Sequence, residues 1–131
     1  MYAHAGGLHG RTLPMVALAR DRLRPLSVSG AAVIAKLSAA EVHTALAALP
    51  DWAFDEARGA IRRSFVFADF GEAFAFMTRV ALAAERADHH PEWSNVYNRV
   101  EVTLATHDCG GVSPRDIALA TVADAAFARA R

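Results

Sequence analysis

The chain has one cysteine, no excess of either charge and no long apolar run, and each shortage sets aside a class of protein. A lone Cys109 closes no intramolecular disulfide, which argues against a disulfide-stapled secreted scaffold and suits a reducing, cytoplasmic compartment. Lysine plus arginine and aspartate plus glutamate balance at 14 each, so no overall field draws the chain to nucleic acid or to an anionic membrane. Apolar residues make up 53% of the sequence, yet their runs are broken well short of a membrane span. There is no internal repeat. What is left, at 131 residues, is one domain able to bury a real but modest core.

Residues 1–36 differ in composition from the rest. They hold Arg11, Arg20, Arg22, Arg24 and Lys36 against one acid, Asp21, and Gly6, Gly7, Gly10, Pro14 and Pro25 break any periodicity. This stretch is read as an N-terminal extension. An arginine-rich, acid-poor leader fits organelle targeting, but the prolines weaken an amphipathic helix and favour the plainer reading, a disordered tail or residues translated upstream of the true domain start.

The domain is expected over residues 37–131. Ser38 and Glu41 are spaced as a capping box, with Leu37 and Val42 placed as its hydrophobic staple. Val42, Ala45, Leu46 and Leu49 continue a helical stripe up to Pro50, and His43 lies off it as a solvated residue. Trp52 and Phe54 mark a short strand, Gly59 supplies a turn, and Ile61, Phe65 and Phe67 share one face of the next strand. Arg63 falls on that same apolar face, so either it snorkels at the sheet edge or the register is different. Asp69 caps a second helix running to about Asp88. Phe70, Phe74, Met77, Ala81 and Ala84 form one stripe on it, while Phe76, Val80, Leu82 and Ala83 leave much of the remaining circumference apolar. A helix apolar on more than one side needs more than one partner. A homodimer or homotetramer built on this helix is therefore expected, with Phe76 taken as an outward residue. Residues 93–98 and 100–106 read as two further strands, with Val100, Val102 and Leu104 facing the core. Ser113 and Pro114 open a third helix, along which Asp124 interrupts the apolar stripe and is expected at solvent. The fold class is α+β: a two-layer domain with a four-stranded antiparallel sheet and three helices on one face.

Chemistry concentrates in residues 85–108. Three of the six histidines, His89, His90 and His107, lie there. The first two end a helical run just before Pro91, where a helix normally stops. His107 ends a strand. If those ends meet, three imidazoles share one mouth, and imidazole gives and takes protons near neutral pH. Strict alternation from Val100 would put His107 on the sheet face away from the others. Convergence therefore requires an irregular backbone at residues 106–109, with His90 and His107 facing one cleft.

The same residues carry a resemblance. Glu85, His89-His90-Pro91-Glu92-Trp93, Asn95-Val96-Tyr97-Asn98, Val100 and Thr106-His107-Asp108 match the signature of the pterin-4a-carbinolamine dehydratases, also called 4a-hydroxytetrahydrobiopterin dehydratases. Residues 76–81 upstream and Ser113 with Asp116 downstream match as well, so the chain resembles that family over roughly residues 37–127. The resemblance implies an α+β fold, a dimer of dimers, and a small-molecule pterin substrate. It also implies a hydro-lyase reaction, in which a 4a-hydroxytetrahydropterin loses water to give a quinonoid dihydropterin. A second class of function is implied beside it: some members bind a transcription factor's dimerisation helices through the second helix.

Such a dehydration needs one acid and one base, and neither a cofactor nor a metal. The candidate catalytic residues are His90 and His107 as the leading pair, with His89 beside them. Glu85, four residues before His89, is placed to hold an imidazole or to pair with Arg79 or Arg86. Asp116 is read both as a pterin-site carboxylate and as the N3 acid of a capping box. Pro91 and Trp93 could wall a flat pterin ring, and Trp93 fits the core equally well. Cys109 beside His107 makes up the number of ligands for zinc, but vicinal His89 and His90 diverge and the spacing matches no common zinc pattern. No metal is expected.

Overall fold

Ser38 and Glu41 cap one another as their spacing predicts: the Ser38 hydroxyl accepts from Glu41 N–H at 3.2 Å, and the Glu41 carboxylate accepts from Ser38 N–H at 3.2 Å. Helix α1, Ala39–Leu46, follows and buries Val42 and Leu46. The computed structural model describes residues 33–130, so the expected N-terminal extension lies outside the described residues except for 33–36.

Strand β1, Ala53–Asp55, and strand β2, Ala60–Val66, form the first hairpin, turning at Gly59 with φ +61. Helix α2, Phe70–Ala87, is capped by Asp69, whose side chain accepts from Glu72 N–H. Strands β3, Glu92–Val96, and β4, Arg99–Leu104, make the second hairpin, followed by a single 3-10 turn and by helix α3, Pro114–Arg129. The sheet order is β1-β2-β4-β3, antiparallel throughout. β4 therefore occupies an interior position, between β2 and β3. That is where Val100, Val102 and Leu104 face the helices, each 1% exposed or less.

The three helices lie on one face of the sheet. Phe65 is fully buried between them, with ring centroids 4.7 Å from Phe76, 5.3 Å from Phe127 and 6.0 Å from Trp52. Truncating such a side chain to alanine typically costs about 3–5 kcal/mol. The other sheet face carries the alternate residues Arg62, Ser64, Glu101 and Thr103 and is open.

Two sequence expectations are corrected here, and one geometry settles both. Asp124 turns inward and is only partly exposed. Its Oδ1 accepts from Arg63 Nη1 at 2.6 Å and from Trp52 Nε1 at 2.8 Å. Arg63 therefore stays in register on the apolar face, its guanidinium 4.4 Å from the Phe65 ring centroid. The acid and the base that each interrupt an apolar stripe are partners.

The stripes of α2 are corrected as well. The core stripe is Ala73, Phe76, Val80 and Ala84, and Phe76 is wholly buried. Outward lie Phe70, Phe74 and Leu82, at 49%, 58% and 61% exposure. Counting apolar residues showed that α2 had two apolar faces, but the sequence pattern assigned Phe76 to the wrong one.

Candidate active site

Helix α2 ends earlier than the histidine pair. Asp88 adopts a left-handed conformation, φ 49, and its N–H bonds back to the carbonyls of Ala84 and Glu85. The chain thereby swings His89 and His90 off the helix axis before Pro91, in different directions. His89 becomes 8% exposed, whereas His90 stays at the surface.

β4 ends in a comparable bend. Thr106 pairs with Gly111 as an isolated bridge, and residues His107–Cys109 form the 3-10 turn, closed by Gly110 at φ 70. This departure from the pleat re-aims His107, as convergence requires. A cleft of about 200 Å³ results, lined by His89, His90, His107, Thr106, Asp108 and Arg115 among others.

Each imidazole in this cleft faces its own carboxylate through Nε2. His89 Nε2 lies 2.5 Å from Asp116 Oδ1, His90 Nε2 lies 3.3 Å from Glu85 Oε2, and His107 Nε2 lies 3.1 Å from Glu92 Oε1. A carboxylate on one ring nitrogen fixes the orientation of the ring and leaves Nδ1 for other work. The three pairs differ in their contact with water. Asp116 is completely buried, whereas the side chains of Glu92 and Glu85 are 52% and 80% exposed.

Asp116 is held on its other oxygen too. Oδ2 accepts from Thr106 Oγ1 at 2.8 Å and from Ser113 N–H at 2.9 Å, while Thr106 Oγ1 and Ser113 Oγ lie 2.6 Å apart. The capping and site readings of Asp116 are thus compatible: one oxygen caps α3 and the other meets His89. No buried polar side-chain atom among the described residues lacks a partner.

Glu85 meets His90 and not His89, because the left-handed Asp88 breaks the helical i, i+4 geometry on which the sequence expectation rested. Pro91 is partly buried at the start of the hairpin. Trp93 lies opposite Val102, on the core side of the sheet, and packs partly buried against the core. Cys109 donates its thiol to the carbonyls of Thr106 and Gly111, at 3.4 and 3.6 Å. Among the described residues no three His, Cys, Asp or Glu side chains gather in a way that could hold a metal ion.

The chain matches the profile of the pterin 4 alpha carbinolamine dehydratase family over residues 35–126. It belongs to that family. Within the family, a relative from Rhizorhabdus wittichii is 61% identical over 92 residues, which cover 70% of this chain and 95% of the relative. One from Mesorhizobium japonicum is 64% identical over 85 residues, covering 65% of this chain and 87% of the relative. Both are named for pterin-4-alpha-carbinolamine dehydratase, a hydro-lyase. A solved structure of a transcriptional coactivator/pterin dehydratase from Brucella melitensis aligns with a TM-score of 0.69 at 51% identity, over 70% of this chain and 98% of that one. Among the described residues, no helix is long and apolar enough to cross a membrane.

Two residues that line the cleft, Thr106 and Arg115, and one that contacts its His107, Glu92, escaped sequence reasoning as site residues. Glu92 sits inside the motif, but its pairing with His107 follows from the β3–β4 register and the bend after β4, which no local spacing reveals. Thr106 looked like a core strand residue, and its hydroxyl is in fact the link to Asp116. Arg115, in the first turn of α3, lines the cleft beside His107 and Asp108, and only the tertiary fold brings it there.

Proposed function

We propose that the domain dehydrates a 4a-hydroxytetrahydropterin, such as 4a-hydroxytetrahydrobiopterin, by histidine acid–base catalysis. One observation carries the reading: three imidazoles, each backed by a carboxylate, line one cleft. Loss of water breaks the bond between C4a and oxygen and removes the N5 proton. An acid protonates the departing hydroxyl, and a base takes the proton from N5. His90 and His107 serve these two transfers, since both are open to the cleft. Glu85 and Glu92 hold their rings and stabilise each imidazolium as it forms. His89, clamped by Asp116 in low-dielectric surroundings, presents a fixed ring to the substrate, and Arg115 supplies a fixed positive charge at the rim. Pro91 is proposed as a wall for the pterin ring, while Trp93 supports the hairpin from its core side. The chemistry as written needs no cofactor and no metal.

The test is direct. Purified protein is mixed with a freshly generated 4a-hydroxytetrahydropterin and the loss of the carbinolamine absorbance is followed. Acceleration over the spontaneous reaction is expected, and a rate no faster than buffer would sink the proposal.

A second reading has its own observation. Phe70, Phe74 and Leu82 expose apolar surface along α2, more than a monomer has reason to carry on one helix. Self-association into a homodimer or homotetramer through this face is the proposed use. Binding of a partner protein's helices to the same face is the alternative, in line with the coactivator description of the Brucella melitensis relative. Light scattering on the pure protein separates them: a stable homo-oligomer occupies the face, and a monomer leaves it open.

A further inference from the structure

The histidine cleft has a neighbour. A second recess of about 240 Å³ lies on the other side of His107, and the two share Ala105, Thr106 and His107 in their walls. Its remaining wall includes Arg58, Glu92, Thr103, Gly110 and Gly111. The histidine cleft alone is smaller than the roughly 300–1,000 Å³ of ordinary small-molecule sites, so a bicyclic substrate carrying a substituent outgrows it.

Glu92 joins the two recesses chemically. Its Oε1 faces His107 at 3.1 Å, and its Oε2 faces Arg58 Nη2 at 3.9 Å. The second distance is too long for a hydrogen bond, so donor and acceptor keep capacity toward a third group. A guanidinium and a carboxylate in this disposition match a hydroxylated chain, in which one hydroxyl accepts from arginine and another donates to the carboxylate. Gly59, Gly110 and Gly111 contribute only backbone to the wall. Gly59 closes the recess from behind at φ +61, its would-be Cβ 3.2 Å from Gly111 Cα.

We propose that this recess receives the substituent borne by the pterin ring, and that Arg58 makes the site prefer substituents carrying vicinal hydroxyls. The inference rests on the proposed dehydratase reaction and concerns which pterin is taken. Arg58 is a turn residue with a 58% exposed side chain, so replacing it leaves the core untouched.

The experiment compares two 4a-hydroxytetrahydropterins that differ only in the substituent, one bearing a 1,2-dihydroxypropyl chain and one a methyl group. Each is tested with the wild type, Arg58→Ala and Arg58→Lys. The wild type should prefer the hydroxylated substrate in kcat/KM by about tenfold, the low end for a hydrogen bond to a charged group at a half-exposed site. Arg58→Ala should erase most of that preference, chiefly through KM for the hydroxylated substrate, and Arg58→Lys should restore part of it. Equal kcat/KM for both substrates in the wild type, or an equal loss on both in Arg58→Ala, would overturn the inference and leave the dehydratase reading standing. A wild-type protein that accelerates neither substrate would overturn both.

Discussion

His89 and Asp116 meet at 2.5 Å across 27 residues of sequence, and the same carboxylate caps helix α3 through its other oxygen. The site and the start of a structural helix therefore share one buried charge. Replacing the carboxylate by an amide separates the two roles. Oδ2 accepts from two donors, so in Asp116→Asn the amide oxygen must occupy that position and the NH₂ must face His89. His89 Nε2 would then have to accept, and its tautomer would reverse. Turnover should fall by about 10²–10⁴-fold, the scale of lost acid–base function, while urea unfolding shifts by no more than about 1 kcal/mol. A variant with turnover within about twofold of wild type would mean that His89 is held for packing alone.

His90 and His107 line the same cleft from opposite chain segments, one after α2 and one after β4. His90→Ala and His107→Ala should each lower kcat by about 10²–10⁴-fold. If both serve one proton relay, the double variant loses much less than the product of the single losses. Single losses under about threefold, or full multiplicativity in the double, would argue against a shared relay.

The fold was legible in the sequence wherever one rule acted alone. Ser38 with Glu41 and Ser113 with Asp116 form capping boxes at the expected positions, and the period-two pattern of Val100, Val102 and Leu104 gives the buried strand face. It failed where two rules competed. Arg63 and Asp124 each broke an apolar pattern, and their pairing depends on a contact 61 residues apart. Helix α2 is apolar on two sides, so periodicity could not say that Phe76 rather than Phe74 faces the sheet. At the site, the motif named the three histidines, but two backbone departures decide which carboxylate each one meets: the left-handed Asp88 and the turn at residues His107–Cys109.

Phe74 is 58% exposed on α2, whereas Phe76, two residues on, is fully buried. Phe74→Glu should leave the fold intact and shift the mass in light scattering toward a smaller species, because an unpaired charge resists burial in an apolar contact. Phe76→Glu should instead fail to fold. A Phe74→Glu protein of unchanged mass would place the subunit contact on another surface.

The Arg63–Asp124 pair allows a test of how the domain tolerates charge inside its two layers. The Arg63 side chain is only 12% exposed and packs over the rings of Phe65 and Phe127. Asp124 is its close partner at 2.6 Å, while Asp51, largely exposed, stands off at 3.6 Å. Asp124→Ala therefore strips the main counter-charge from a nearly buried guanidinium and leaves Trp52 Nε1 without its acceptor. Losing the partner of a buried donor costs about 1–3 kcal/mol, and water reaching the partly exposed end of the site keeps the expected loss near the middle of that range. For a domain of this size, about 2 kcal/mol corresponds to a drop in melting temperature of roughly 8–16 °C. Removing both charges should cost less than removing one, since a matched apolar pair leaves no guanidinium unpaired and only Trp52 Nε1 still without its acceptor. Arg63→Met with Asp124→Leu is thus expected to recover much of the stability lost in Asp124→Ala. Denaturant unfolding of the two variants and the wild type measures this. A double variant less stable than Asp124→Ala would mean that the guanidinium stacked on Phe65 and Phe127, rather than its ion pair, is what the core depends on.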